Sequence, residues 1–135
     1  MKKVTLDSNV WISAIFWKGE AARIIDLAER DKIKIFCSKE ILLEIAEVLS
    51  KESKFKATSG VIKEIIEKIA DLSHDIIIKT KTNIIQEDPD DNKILDCAFN
   101  SRSDYLISYD RHLLNLKKFK KIIIIHPTGF LEEAE

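Results

Sequence analysis

The sequence predicts an α/β domain: a three-layer α/β/α sandwich around a central parallel sheet. Three observations carry that prediction. Apolar runs of four or five residues alternate along the chain with amphipathic stretches of helical period. The runs are strand-length and strongly apolar, most plainly Ile122–Ile125, as in a sheet covered on both faces. The chain has 135 residues, enough for one domain that folds without a disulfide or a structural metal.

The elements follow in order. Val4–Leu6 reads as a first strand ending at Asp7. Ser8 reads as the N-cap of a helix over Asn9–Phe16, apolar nearly all round and therefore buried. A second helix spans Ala21–Arg30, and Ile33–Cys37 is the next strand. Ser38 caps a helix reaching Ser50, with apolar residues at 41, 42, 45, 48 and 49. An amphipathic helix runs from Ser59 to Leu72, and a third strand lies within Asp75–Lys79. Asp91–Arg102 is helical, with Ile94, Leu95, Ala98 and Phe99 as its apolar face. Tyr105–Ser108 is a strand, Asp110–Leu114 a short helix, and Ile122–Ile125 the last strand, followed by Pro127 and a short C-terminal turn. Both prolines, Pro89 and Pro127, fall in short connections, and nothing resembles an interdomain linker, so residues 1–135 form a single domain.

Composition excludes several functions. The three glycines, Gly19, Gly60 and Gly129, permit no G-x-G-x-x-G dinucleotide turn, no P-loop and no G-x-S-x-G nucleophile elbow. Cys37 and Cys97 form neither a C-x-x-C pair nor a zinc spacing, and read as reduced, buried thiols. Trp11, Trp17 and Cys97 read as core. No apolar run approaches the ~18 residues of a membrane helix. Met1–Val4 resembles the start of a signal peptide, but Asp7, Ser8 and Asn9 interrupt any apolar region after it. The cytoplasm is the expected location. His74, His112 and His126 suggest no Ser–His or Cys–His nucleophile arrangement.

In parallel sheets of this type, sites form beyond the carboxyl ends of the strands. Acids stand there repeatedly. Asp7 follows the first strand, Asp110 follows the fourth after one spacer, and Asp91 opens a helix behind Glu87, Asp88 and Asp90. At 100° per residue, Glu44 falls about 100° from the centre of its helix's apolar stripe, on the edge. Asp91 falls within about 10° of the centre of the apolar face of its own helix, so it points inward. Asp90 and Asp96 turn more than about 100° away from that centre.

Taken singly, each has a plainer reading. Asp7 and Asp110 could be helix caps, Glu44 a boundary residue, and Asp91 a charge on a helix dipole. Together they lack one shared structural explanation. Carboxylates converging on one crevice resist ionisation unless a cation joins them. Oxygen-only ligands suit a hard ion, Mg²⁺ or Mn²⁺, which can bridge a phosphodiester, activate water and stabilise a leaving oxygen.

The ordered motifs resemble a family. Val4-Thr5-Leu6-Asp7-Ser8-Asn9-Val10 resembles the opening of PIN-domain nucleases. Ser38–Leu49 resembles their second motif, with the acid at Glu44. Asp88–Ala98 resembles their third, D-x-D-D-x-x-x-L-x-x-A, and Asp104–Asp110 their fourth, a strand into [TS]-x-D. The likeness covers essentially the whole chain and is greatest to the VapC-like toxins of prokaryotic toxin–antitoxin pairs. It implies a Mg²⁺- or Mn²⁺-dependent endoribonuclease. Asp7, Asp91 and Asp110 would be its principal metal ligands, and Glu44 would complete the pocket. Ser8 and Ser108 would orient carboxylates. Asp96 and Asp90 rank behind these. Tyr109 stands where Gly is commoner. The resemblance also implies a homodimer and a small antitoxin partner.

The net charge of −1 fits such a site. Setting aside the four acids leaves 19 acidic against 22 basic side chains. Arg111, Lys117 and Lys118 lie in a basic segment that could hold RNA, although such a run can equally be a solvated face. The alternative is a catalytically weak PIN-like module that binds RNA or protein. Loss of an acid would mark it, and all four are present. A phosphoacceptor receiver domain fits poorly, because only Asp7 follows the first strand and His126-Pro127 follows the last.

Overall fold

The computed structural model describes residues 1–82 and 91–134. In chain order these form β1 (Lys2–Leu6), α1 (Ser8–Phe16), α2 (Gly19–Glu29), β2 (Ile33–Ser38), α3 (Lys39–Lys51), α4 (Ser59–Leu72) and β3 (His74–Ile76). There follow α5 (Asp91–Asn100), β4 (Tyr105–Ile107), α6 (Arg111–Leu116), β5 (Lys118–Phe119), β6 (Ile122–Ile125) and α7 (Pro127–Ala134). A 3-10 turn, Ser53–Phe55, lies between α3 and α4.

The strands lie in the order β3-β2-β1-β4-β6-β5. Every neighbouring pair is parallel except β5 with β6. The chain moves from β1 through β2 to β3 in one direction, and from β4 to β6 in the other. Right-handed crossovers then place the two sets of connecting helices on opposite faces. Side chains on the central strands mark those faces. Val4 pairs in register with Tyr105, whose ring packs edge-on against Phe130 of α7 at 5.2 Å. On the other face, Thr5 Oγ1 lies 2.8 Å from Ser103 Oγ, and its hydroxyl meets Cys97 Sγ of α5 at 3.8 Å. The three-layer α/β/α sandwich is therefore present.

Val4, Leu6, Ile35 and Leu106 are fully buried, as strands covered on both faces require. Cys37 and Cys97 are buried free thiols. Burial pushes Cys97 up to about 11 and raises Cys37 as well, so neither forms a reactive thiolate at neutral pH. Among the described residues, no helix is long and apolar enough to cross a membrane.

Several expectations need correction. The cap of α1 is Asp7, and Ser8 is the first helical residue, because the Asp7 carboxylate takes the Ser8 N–H. The third strand is His74–Ile76, set by its pairing with Phe36–Ser38 rather than by the apolar run that follows. The sheet carries one antiparallel edge strand, β5, only two residues long and too short to show a period. The expected C-terminal turn is the helix α7, held by Phe130 in the core and by a Tyr105 Oη bond to Glu133 at 2.6 Å. Trp17 is not core: it ends α1 and is 60% exposed.

Thr58 caps α4, its hydroxyl accepting the Val61 N–H at 3.3 Å. Thr58→Ala should cost about 1 kcal/mol in a denaturant titration. Unchanged stability would show the cap to be idle.

Candidate active site

The two winding directions meet between β1 and β4. At such a switch point the helices diverge and leave a crevice outside the carboxyl ends of the strands. Asp7 and Ser108 stand there, one residue beyond each strand. The Ser108 hydroxyl donates to Asp7 Oδ2 at 2.6 Å and accepts the Asp110 N–H at 2.9 Å. The backbone N–H of Asp7 donates to the Ile107 carbonyl at 2.9 Å, locking the two strand ends together.

Asp7 is 4% exposed. Its Oδ1 accepts the Ser8 N–H at 2.8 Å. Burial drives its carboxyl above the usual range. The hydrogen bonds from Ser108 and Ser8 pull it back, and the charge of Asp110 pushes it up again. Ser8 Oγ lies 3.4 Å from Asp7 Oδ1 and 3.2 Å from Glu44 Oε1. One hydroxyl proton thus serves two carboxylates, and α3 delivers Glu44 to it from the half-buried edge of its apolar stripe. Asp110 caps α6 by accepting the His112 N–H at 2.8 Å.

Asp91 reaches the same edge by a different route. The C-terminal end of α5 leads into Ser101 and Ser103, beside Thr5, and Asp104 donates its N–H to the Lys3 carbonyl. The helix therefore runs antiparallel to β1. Its first residue, Asp91, lies about 13 Å back along the axis, toward the carboxyl edge. Asp91 is buried there.

The remaining predicted residues divide. Asp96, turned away from the apolar face of α5, is nevertheless buried, because the chain after β3 lies over it and Oδ1 accepts the Thr82 N–H at 2.5 Å. One turn later, Asn100 accepts the N–H groups of Lys79 and Thr80 and donates to the Thr80 carbonyl. Together they fasten the chain after β3 along α5. Asp90 lies outside the described residues. Arg111 follows Asp110 directly and is exposed at the crevice edge. Lys117, exposed at the end of α6, accepts the Ile124 N–H on its carbonyl, and Lys118 does not join Arg111. Lys118 pairs across from Ile123 on the outer edge strand, back toward the amino end of the sheet.

Contacts made by Asn9, Tyr109 and His126 at this edge escaped sequence reasoning. Asn9 Oδ1 accepts the Tyr109 N–H at 3.4 Å and ties the loop after β4 to α1. His126, one residue past β6, accepts the Thr128 N–H on Nδ1 and carries the Tyr109 ring edge-on at 5.0 Å. The same strand-end rule that singled out Asp7 applies to His126. Its position was legible, but its ring partner was not.

Among the described residues, no three His, Cys, Asp or Glu side chains converge closely enough to hold a metal ion as they stand. Two serines link these segments: Ser8 Oγ lies between the Asp7 and Glu44 carboxylates, and Ser108 Oγ joins the Asp7 carboxylate to the backbone N–H of Asp110. The donors are all oxygens. Asp7 carries a burial penalty that Asp110 increases, and a hard divalent cation would offset it. The donor chemistry fits such an ion.

The protein-family model described as "PIN domain" matches residues 3–112. No curated protein matches the chain. Among solved structures, the chain is similar to one in the crystal structure of VapBC2 from Rickettsia felis bound to a DNA fragment from its promoter. The TM-score is 0.65 at 16% identity, covering 92% of this chain and 98% of that one. At that identity the likeness concerns the fold. The family match runs from β1 into α6 and includes Asp7, Glu44, Asp91 and Asp110, so the chain belongs to the PIN domain family.

Proposed function

We propose that this PIN domain is a metal-dependent endoribonuclease and the toxin of a toxin–antitoxin pair. The observation that carries the reading is the chain of acids and serines at the switch point, Glu44–Ser8–Asp7–Ser108–Asp110. PIN domains are generally nucleases, and an edge of paired carboxylates suits phosphodiester chemistry. Asp7, Asp91 and Asp110 would hold Mg²⁺ or Mn²⁺, with Glu44 beside them. The bound ion would supply charge stabilisation and an activated water for hydrolysis. Ser8 and Ser108 fix which carboxylate oxygens face the crevice. Arg111, exposed beside Asp110, suits a backbone phosphate. An antitoxin partner is supported by the likeness to VapBC2. On the same reading the protein is a homodimer in the cytoplasm.

The test is cleavage of a mixed RNA pool with Mg²⁺ or Mn²⁺, against EDTA and against Asp7→Asn. Cleavage that needs the ion and Asp7 supports the reading. Equal cleavage by the variant would assign the activity to a contaminant. The second reading is a binding module that keeps the fold and holds RNA or a protein partner without cutting RNA. Binding without cleavage of any RNA would select it. Arg111→Ala should weaken RNA binding across sequences and lower the slope of log affinity against log salt by about one. Lys118→Ala, on the far edge strand, should change the slope less.

A further inference from the structure

We propose that Trp17, Phe16 and Phe55 form a base-stacking platform for single-stranded RNA beside the carboxylate crevice. The inference rests on the RNA reading above and adds a second contact for the same strand. The three rings come from two segments, the end of α1 and the 3-10 turn after α3. Phe16 and Phe55 lie 4.8 Å apart between centroids, Trp17 and Phe55 5.7 Å, and Phe16 and Trp17 6.1 Å. Trp17 is 60% exposed, although the sequence pattern would bury it, while Trp11 on the same helix is 1% exposed. The rings are inclined by 49–72°, so the two half-buried phenyls brace the indole edge-on and leave its own plane as the exposed aromatic face.

Charge selects the occupant. Lys54 Nζ lies 5.8 Å over the Trp17 ring and 5.2 Å over the Phe55 ring. Lys18 follows Trp17 and Lys56 follows Phe55, both exposed and both in the left-handed region, at φ 62° and 47°. Lys51 stands one turn before. The opposing acids are Glu20, Glu47 and Glu52. Glu47 meets Lys51 at 2.5 Å, and Glu52 meets Lys54 at 3.9 Å. Such exposed pairs are weak in water and yield readily to phosphate. Aromatic faces ringed by lysine suit a polyanion with flat bases, which stack without sequence preference. Placement agrees. α1 begins at Ser8 in the crevice and ends at the platform, about 12 Å away along its axis. A strand with one phosphate at the acids would pass the rings within a few nucleotides.

The chain holds two tryptophans, and one is buried, so emission reports the platform directly. A short unstructured single-stranded RNA is titrated in EDTA, where binding is read without cleavage. Tryptophan emission and the anisotropy of a labelled RNA are followed together. Trp17 emission should be quenched by single-stranded RNA and much less by a duplex. Trp17→Ala should weaken binding roughly 5- to 100-fold, the loss of one stacked base. Trp17→Phe should restore most of it. With metal, Trp17→Ala should raise KM and leave kcat nearly unchanged. Unchanged RNA affinity in Trp17→Ala would overturn the platform and leave the patch to a protein partner. Equal quenching by duplex and single strand would overturn it too, as charge alone. Binding is measured without metal, so an RNA pool that is bound but never cut would defeat the nuclease reading and leave the platform standing.

Discussion

Asp7→Asn should reduce metal-dependent RNA cleavage by roughly two orders of magnitude or more, while making the metal-free protein more stable. The first effect follows from removing the most buried anionic ligand of the proposed metal site. A bound ion supplies several kcal/mol of transition-state stabilisation, and each 1.36 kcal/mol is a tenfold in rate. The second follows from burial. Asn caps a helix as well as Asp, and its carbonyl keeps the Ser8 N–H bond. What disappears is a buried negative charge next to Asp110, and with it the Oδ2 acceptor, so the Ser108 hydroxyl must turn to accept from the new amide. The folded state raises the Asp7 carboxyl above its ordinary value of 3.8, mainly by burial. A raised carboxyl contributes stability below the unfolded value and loses it as pH rises through the folded one. The metal-free wild type should therefore melt lower at neutral than at mildly acidic pH. Asp7→Asn should lack that component of the drop, so the gap between them widens toward neutrality. Mg²⁺ at 100 times its dissociation constant should return about 2.7 kcal/mol to the wild type and little to the variant. Thermal melts at two pH values, with and without Mg²⁺, read all of this. A variant less stable than wild type without metal at neutral pH would refute the burial argument.

Ser108→Ala should lower activity roughly 10- to 100-fold, as loss of a group that orients a metal ligand does. It should also cost about 1–3 kcal/mol of stability, because the Asp110 N–H loses its acceptor in a part-buried site. The two losses share a cause. One hydroxyl is donor to Asp7 and acceptor from the residue that opens α6. Removing it also removes the largest influence lowering the Asp7 carboxyl, so the stability penalty should grow from acidic to neutral pH. Ser108→Thr keeps the hydroxyl and should recover most of the activity. Equal activity in all three proteins would show that Ser108 only closes the strand end.

The sequence revealed the order of elements because each burying face is written locally. The stripe at 41, 42, 45, 48 and 49 gives α3, and the consecutive isoleucines give β6. The strand-end rule then pointed to Asp7, Glu44, Asp91 and Asp110, and the fold sets Asp7, Glu44 and Asp110 along one serine-linked path. Features made by distant partners were not legible. Phase alone turned Asp96 away from the apolar face of its helix, but a segment fourteen residues earlier folds over it. Trp17 looked like core by composition, yet its helix ends just where it would enter. β5 exists only because Lys118 and Phe119 meet Ile123 and Ile122. Its two residues carry no pattern of their own.

Among the described residues, both borders of the sheet are very short: three residues in β3 and two in β5, the latter flanked by lysines at 117, 120 and 121. An open strand edge is a template for another chain, and short or lysine-rimmed edges blunt it. Growth by strand addition from one molecule to the next is therefore discouraged at both ends. A concentrated sample should stay free of cross-β aggregates as long as the fold is intact.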